Sequence, residues 1–166
     1  MPRAYLSGGM EYALNEGRDW RTPLQEWLER VCRCEVFNPN LESERFFRRE
    51  HPGLNFRALK STDLPVYQQI ARKLVELDCS EIAERTSFVI CYWDDGAAKG
   101  AGTKGELTMA KFFDKPVYLV TSVPRTDIPG WVLGCTTRFF DSFEELKAFL
   151  PATIHLLGSA QQPERE

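Results

Sequence analysis

At 166 residues, with 43% hydrophobic and 27% charged side chains, the chain has the size and balance of one soluble domain with a substantial core. A formal net charge of −3 argues against broad non-specific binding to nucleic-acid polymers, which rests on Lys and Arg neutralising phosphates. Five cysteines (Cys32, Cys34, Cys79, Cys91 and Cys135) without a CxxC pair, beside two histidines, fit neither a disulfide framework nor a zinc site, so reduced thiols and no metal are expected.

From the N-terminus onward, no charged-then-apolar leader opens the chain and no apolar run approaches membrane-spanning length, so a cytoplasmic, membrane-free protein is expected. Ala4–Ser7 is a first strand ending in the turn pair Gly8-Gly9. Asp19 to Val31 has helical spacing, with Trp20, Leu24, Trp27, Leu28 and Val31 on one stripe and Pro23 near its start. Glu35–Phe37 is a second strand, stopped by Asn38-Pro39-Asn40. Residues 41–60 are polar, aromatic and aperiodic, and are expected to form a surface insertion. Within it, Arg48, Arg49 and Arg57 stand among Phe46, Phe47 and Phe56, as either a solvated face or a phosphate-contacting loop.

A helix is expected from Asp63, its cap, with Pro65 in the first turn and Val66, Ile70, Leu74 and Leu77 along it. Ser87–Tyr92 is an apolar run of the kind buried on both faces of a sheet. A loop, Trp93–Ala101, leads to a helix over Glu106–Phe113, and Pro116–Val120 is the next strand. Residues 121–135 read as a loop, Thr137–Phe140 as a last strand, and Ser142–Leu150 as a last helix opened by a capping box. A single domain over 1–158 and a disordered tail from Ser159 complete the reading. Strands alternating with helices imply an α/β fold: a flavodoxin-like or Rossmann-like three-layer sandwich with five parallel strands in the order 2-1-3-4-5. Its crevice falls between strands one and three, at the carboxyl ends.

That geometry draws Tyr5, Gly8, Gly9, Asp94, Asp95 and Glu106 toward one pocket. Thr103-Lys104-Gly105-Glu106 has capping-box spacing, so Glu106 is either a helix-capping group or a carboxylate aimed at the crevice as a nucleophile. The surrounding glycines match neither a P-loop nor a dinucleotide fingerprint, and no cofactor is expected. Tyr5 is either a packed strand residue or the partner of a nearby carboxylate. Asp78, ending an apolar helical stripe, is either a surface residue or a proton donor. Asp94 and Asp95 either hold ligand hydroxyls or form a turn with Gly96. Trp93 and Tyr12 stack on a planar ring or fill core edges.

Tyr5-Leu6-Ser7-Gly8-Gly9-Met10, Trp20-Arg21, Phe37-Asn38-Pro39, Asp78, Gly102-Thr103-Lys104-Gly105-Glu106 and Lys115-Pro116-Val117 follow one another in an order that resembles the nucleoside 2-deoxyribosyltransferase family. The resemblance covers most of residues 3–120. It implies that Glu106 displaces a nucleobase from the anomeric carbon of a deoxyribose, that Tyr5 hydrogen-bonds it, and that Asp78 assists proton movement at the leaving base. Gly8, Gly9, Met10, Asp94, Asp95, Gly102 and Thr103 are then expected on the substrate side. The implied partners are a small-molecule nucleoside or nucleotide and further copies of the chain, as a homodimer or higher homo-oligomer. Two departures stand out: Gly100 occupies the position where these transferases commonly carry an aspartate, and the 41–60 insertion brings arginines suited to a phosphorylated substrate, as in related nucleotide N-glycosidases. A nucleoside monophosphate hydrolase is therefore the second reading. A non-catalytic nucleotide-binding domain, with Glu106 only a cap, is the third.

Overall fold

The computed structural model describes residues 1–159. Five parallel strands, β1 (Arg3–Gly8), β2 (Glu35–Phe37), β3 (Phe88–Tyr92), β4 (Val117–Val120) and β5 (Arg138–Phe140), form one sheet in the order β2-β1-β3-β4-β5. The expected topology is the one observed. The register is Tyr5↔Phe37 on one side of β1 and Tyr5↔Val89 and Ser7↔Cys91 on the other.

Side chains alternate across a strand, so each strand feeds two cores. Ala4, Leu6, Phe88 and Ile90 pack with Leu24, Leu28, Leu146 and Leu150 from helices α1 (Arg18–Trp27) and α8 (Phe143–Ser159) and the wide π-type turn Leu28–Cys32. Tyr5, Val89, Cys91 and Leu119 face the other way. There they meet Ile82, which follows α4 (Leu64–Ser80), then Leu107 and Ala110 of α6 (Gly102–Phe112), and Val132 of α7 (Gly130–Cys135). Ser7 stands two residues after Tyr5 and therefore belongs to this second face.

Four stretches differ from expectation. The surface insertion is mostly helix: α2 spans Pro39–Glu50, followed by a 3₁₀ turn at Phe56–Ala58 and a short helix α3 at Leu59–Thr62. Asn38-Pro39-Asn40 stops β2 as expected, but it also starts α2. The Asn38 side chain accepts a hydrogen bond from the Asn40 amide at 3.1 Å, and Pro39 occupies the first turn, where a missing N–H costs nothing. The expected loop 93–101 contains α5 (Asp95–Lys99), and the loop 121–135 contains a 3₁₀ turn at Arg125–Asp127 and α7. The helix carrying Glu106 begins at Gly102, a turn earlier than its apolar residues suggest.

Asp63 caps α4 as expected, accepting from the Val66 amide at 3.1 Å. At the last helix, Ser142 accepts from the Glu145 amide, while Glu145 returns to the amide of Asp141 rather than of Ser142. The expected tail lies outside the described residues except for Ser159, which ends α8. All five cysteines are free thiols. No helix among the described residues is long and apolar enough to cross a membrane.

Candidate active site

The carboxyl end of β1 meets the second turn of α6 on the Tyr5 face of the sheet. Glu106 lies there, and both its oxygens are engaged: the Tyr5 hydroxyl donates to Oε1 at 3.1 Å, and the Ser7 hydroxyl donates to Oε2. These bonds exclude the capping role. The residue preceding α6 is Ala101, no side chain caps that end, and Thr103 is buried inside the first turn. A helix can start without a side-chain cap when, as here, the amide of Gly105 already finds the Ala101 carbonyl at 3.1 Å. The glutamate is thus free to reach across to the strand.

Burial raises the pKa of Glu106, while the Ser7 hydroxyl, the charge of Arg21 and the Tyr5 hydroxyl oppose that rise by stabilising the ionised form. Asp78, in the last turns of α4, is pushed up to about 7, first by burial and then by the negative charge of Glu106. Asp78 thus keeps its proton into the neutral range, whereas at Glu106 two hydroxyls and the Arg21 charge work against the rise. Tyr5 is held well above the ordinary phenol range by burial and by both carboxylates, so it remains a hydrogen-bond donor. The three residues expected to act together are brought together.

Arg21 is fully buried (0% exposed) under this end of β1. Its guanidinium donates to the carbonyls of Leu6 (3.1 Å), Gly8 (2.8 Å), Gly9 (3.3 Å) and Glu16 (3.0 Å), and to Asn40 Oδ1 (3.4 Å). Room for it depends on Gly17, whose φ is +72° and where a Cβ would fall 2.5 Å from Nη1. Gly9 is equally confined, since a Cβ there would lie 2.7 Å from the Ala97 amide. Burial lowers the Arg21 pKa against the pull of Glu106, but an arginine stays protonated in a protein.

Beside the cluster is a cavity of about 540 Å³ between α2 and α4. Met10 and Asn40 line one part, and Phe47, Phe56 and Tyr67 supply aromatic surface. Arg18, Arg48 and Arg57 line it together with Glu11, Glu16 and Glu44. Tyr5, Asp78 and Glu106 do not line this space, but Leu74, which does, lies one helical turn before Asp78 on α4. Arg57 pairs with Glu16 at 2.5 Å, and Arg18 pairs with Glu16 and Glu44. Arg48 has no acidic partner among the described residues. Arg49 faces a different hollow and pairs with Glu50 at 2.7 Å.

The remaining expected residues divide. Met10 lines the cavity; Gly102 and Thr103 start the helix of Glu106; the carbonyls of Gly8 and Gly9 are taken by Arg21. Asp94 caps α5, accepting from the Ala97 amide at 2.8 Å, and borders a separate hollow with Trp20, Tyr92 and Phe143. Asp95 is exposed in the first turn of α5 and, like Asp94, neither lines the cavity nor bonds Glu106. Trp93 is core and Tyr12 is exposed. A side chain at Gly100 would meet nothing nearer than 3.5 Å, so no steric conflict requires the glycine. Ser7 and Arg21 are the residues of this cluster that spacing arguments did not single out. Ser7 was findable from strand alternation with Tyr5; Arg21 was not, because its acceptors are mostly backbone carbonyls. Among the described residues no group of three or more His, Cys, Asp or Glu side chains is placed to hold a metal ion.

Fold and site together define a parallel α/β sandwich with two inequivalent carboxylates at the carboxyl end of its first strand. No protein-family model matches the chain, and no curated protein matches it. Among solved structures, a CMP N-glycosidase, BcmB, from Clostridium botulinum is similar at a TM-score of 0.51 and 15% identity, over 90% of this chain and 98% of that one. A 3-dehydroquinate dehydratase-like protein from Bifidobacterium longum is similar at 0.50 and 16%, over 95% and 98%. At these identities the likeness is one of fold.

Proposed function

We propose that this protein cleaves or transfers the N-glycosidic bond of a (deoxy)nucleoside or its nucleotide, with Glu106 as nucleophile. The observation that carries the reading is the placement of Glu106, its two oxygens accepting from the Tyr5 and Ser7 hydroxyls, in the same cluster as Asp78. Glu106 is held by two hydroxyl donors at the end of β1, and Asp78, at the same cluster, is pushed up to about 7. A carboxyl that holds its proton to about 7 suits the acid, and a carboxylate fixed by two hydroxyl donors suits the nucleophile. In the retaining mode, Glu106 attacks the anomeric carbon and its C–O bond forms as the C–N bond to the base breaks. The base leaves with a proton from Asp78, and a second base or water then resolves the glycosyl ester. Tyr5 and Ser7 fix the carboxylate so that little reorientation precedes attack. Gly102, Thr103 and Met10 are proposed to border the sugar and base.

A second reading, hydrolysis of nucleoside 5′-monophosphates, is favoured by Arg48, which lines the cavity with no ion-pair partner, beside Arg57. The fold shared with a protein described as a CMP N-glycosidase supports the same direction. The deciding experiment is chromatographic: nucleosides and their monophosphates are incubated with the protein, with and without an acceptor base, alongside Glu106→Gln. Base release or exchange that disappears in the folded variant is the expected result. Turnover that survives Glu106→Gln defeats Glu106 as the nucleophile, and no turnover with any substrate defeats the glycosidic reading and leaves a binding domain.

A further inference from the structure

Strand β1 outruns its neighbour β2. On that side the chain offers the carbonyls of alternate residues, and the Glu35 amide takes that of Pro2 at 3.0 Å. The pairing ends at Tyr5↔Phe37. One ladder step covers two residues, so Leu6 would look next to residue 39 for a donor. Residue 39 is proline and has no N–H.

The donors come from Arg21 instead. Its Nε meets the Leu6 carbonyl at 3.1 Å and its Nη2 meets the Gly8 carbonyl at 2.8 Å. Between those two anchored carbonyls stands Ser7, whose side chain turns to the opposite face of the sheet and donates to Glu106 Oε2. We propose that Arg21 is a positioning residue: its planar fork replaces the absent strand partner, holds Leu6–Gly8 extended, and thereby sets the Ser7 hydroxyl against Glu106. A lysine carries the same charge but lacks the fixed fork needed to bridge two carbonyls. The catalytic part of this inference rests on Glu106 being the nucleophile. The geometric part exists whether or not the protein turns over a nucleoside.

The test compares wild type, Arg21→Lys, Ser7→Ala and the double variant. Three quantities are measured: thermal unfolding, the titration of the Glu106 carboxyl by carbon NMR of glutamate-labelled protein, and kcat and KM across pH. Each single substitution should move the Glu106 titration to higher pH, because the ionised form loses a donor. Each should also lower kcat by ~10- to 100-fold, the worth of a hydrogen bond to a charged group, with KM changing far less. The double variant should be no worse than the worse single one, since Arg21 acts through Ser7. A variant Arg21→Lys that melts earlier yet keeps the wild-type Glu106 titration and kcat shows a purely structural clamp and overturns the proposal, as does full additivity in the double variant. Ser7→Ala removes one oxygen from a strand position and keeps the test alive should Arg21→Lys not fold: an unmoved Glu106 titration there overturns the proposal too. If no substrate is turned over, the titrations alone decide it, separately from the glycosidic reading.

Discussion

Replacing Asp78 by asparagine should make the protein more stable and less active, and the gain should depend on pH. The Asp78 carboxyl sits at about 7 in the folded chain against an ordinary 3.8. In the unfolded chain it titrates normally, so between about pH 4 and 7 the folded state binds more protons than the unfolded one. Stability therefore falls as pH rises through that window and levels off above it. At about 1.4 kcal/mol per pH unit, the interval from 3.8 to about 7 corresponds to about 4 kcal/mol of lost stability above neutrality, as an upper bound. Asp78→Asn carries no such loss. Urea unfolding of both proteins should give nearly equal stability near pH 4 and an advantage to the variant of about 2–4 kcal/mol at pH 8. Carboxylates remote from Asp78 titrate alike in both proteins and cancel in the difference; Glu106, coupled to it by charge, does not, which is why the figure is an upper bound. Over the same range the variant should release base more slowly, and the alkaline fall of wild-type kcat/KM near pH 7 should vanish with the acid that causes it. A stability difference that stays constant from pH 4 to 8 would refute the reasoning, because the half-buried Asp78 would then not be a proton-holding group.

Glu106→Gln should retain the fold, with a melting temperature no lower than wild type, and lose glycosidic turnover by ~10⁴-fold or more, checked by single-turnover base release. Arg48→Ala should raise KM for a nucleoside monophosphate by ~10-fold or more while leaving the nucleoside unaffected, and Arg49→Ala should change neither, since Arg48 lines the cavity and Arg49 does not. Raising salt should reproduce the Arg48→Ala effect on the monophosphate alone. Asp94→Ala should cost about 1 kcal/mol in denaturant unfolding and Asp94→Asn close to nothing, as expected of a cap. A fall in kcat/KM for Asp94→Asn at unchanged stability would instead assign Asp94 to the substrate.

The sheet was legible because its strands are short apolar runs separated by helical spacing, and the 2-1-3-4-5 order follows from right-handed crossovers between parallel strands. Tyr5, Asp78 and Glu106 were legible through their ordered resemblance to a known family, and their convergence is a consequence of that strand order. What was hidden has local causes. Helix α2 buries only Pro39, Asn40 and Phe46, so it has no apolar stripe to announce it, and Asn38-Pro39-Asn40 reads equally as a turn or a helix start. Helix α6 opens on two glycines, Gly102 and Gly105, which suggest a loop; Leu107 and Ala110, buried against the sheet, override that preference. The role of Arg21 could not be read from spacing, since its acceptors are carbonyls from Leu6 to Glu16 that only the folded backbone gathers.

Both outer strands of the sheet, β2 and β5, are three residues long, while β1 between them has six. A parallel sheet assembles slowly, because each pairing waits for a long crossover, and its open margins are exposed to other nascent chains meanwhile. Margins this brief offer few free amide and carbonyl groups for a foreign strand to add to. Pro39 shortens one of them further by withholding a donor at the step where β2 would otherwise continue. The residue that leaves the Leu6 carbonyl without a donor from β2 thus also keeps that margin short.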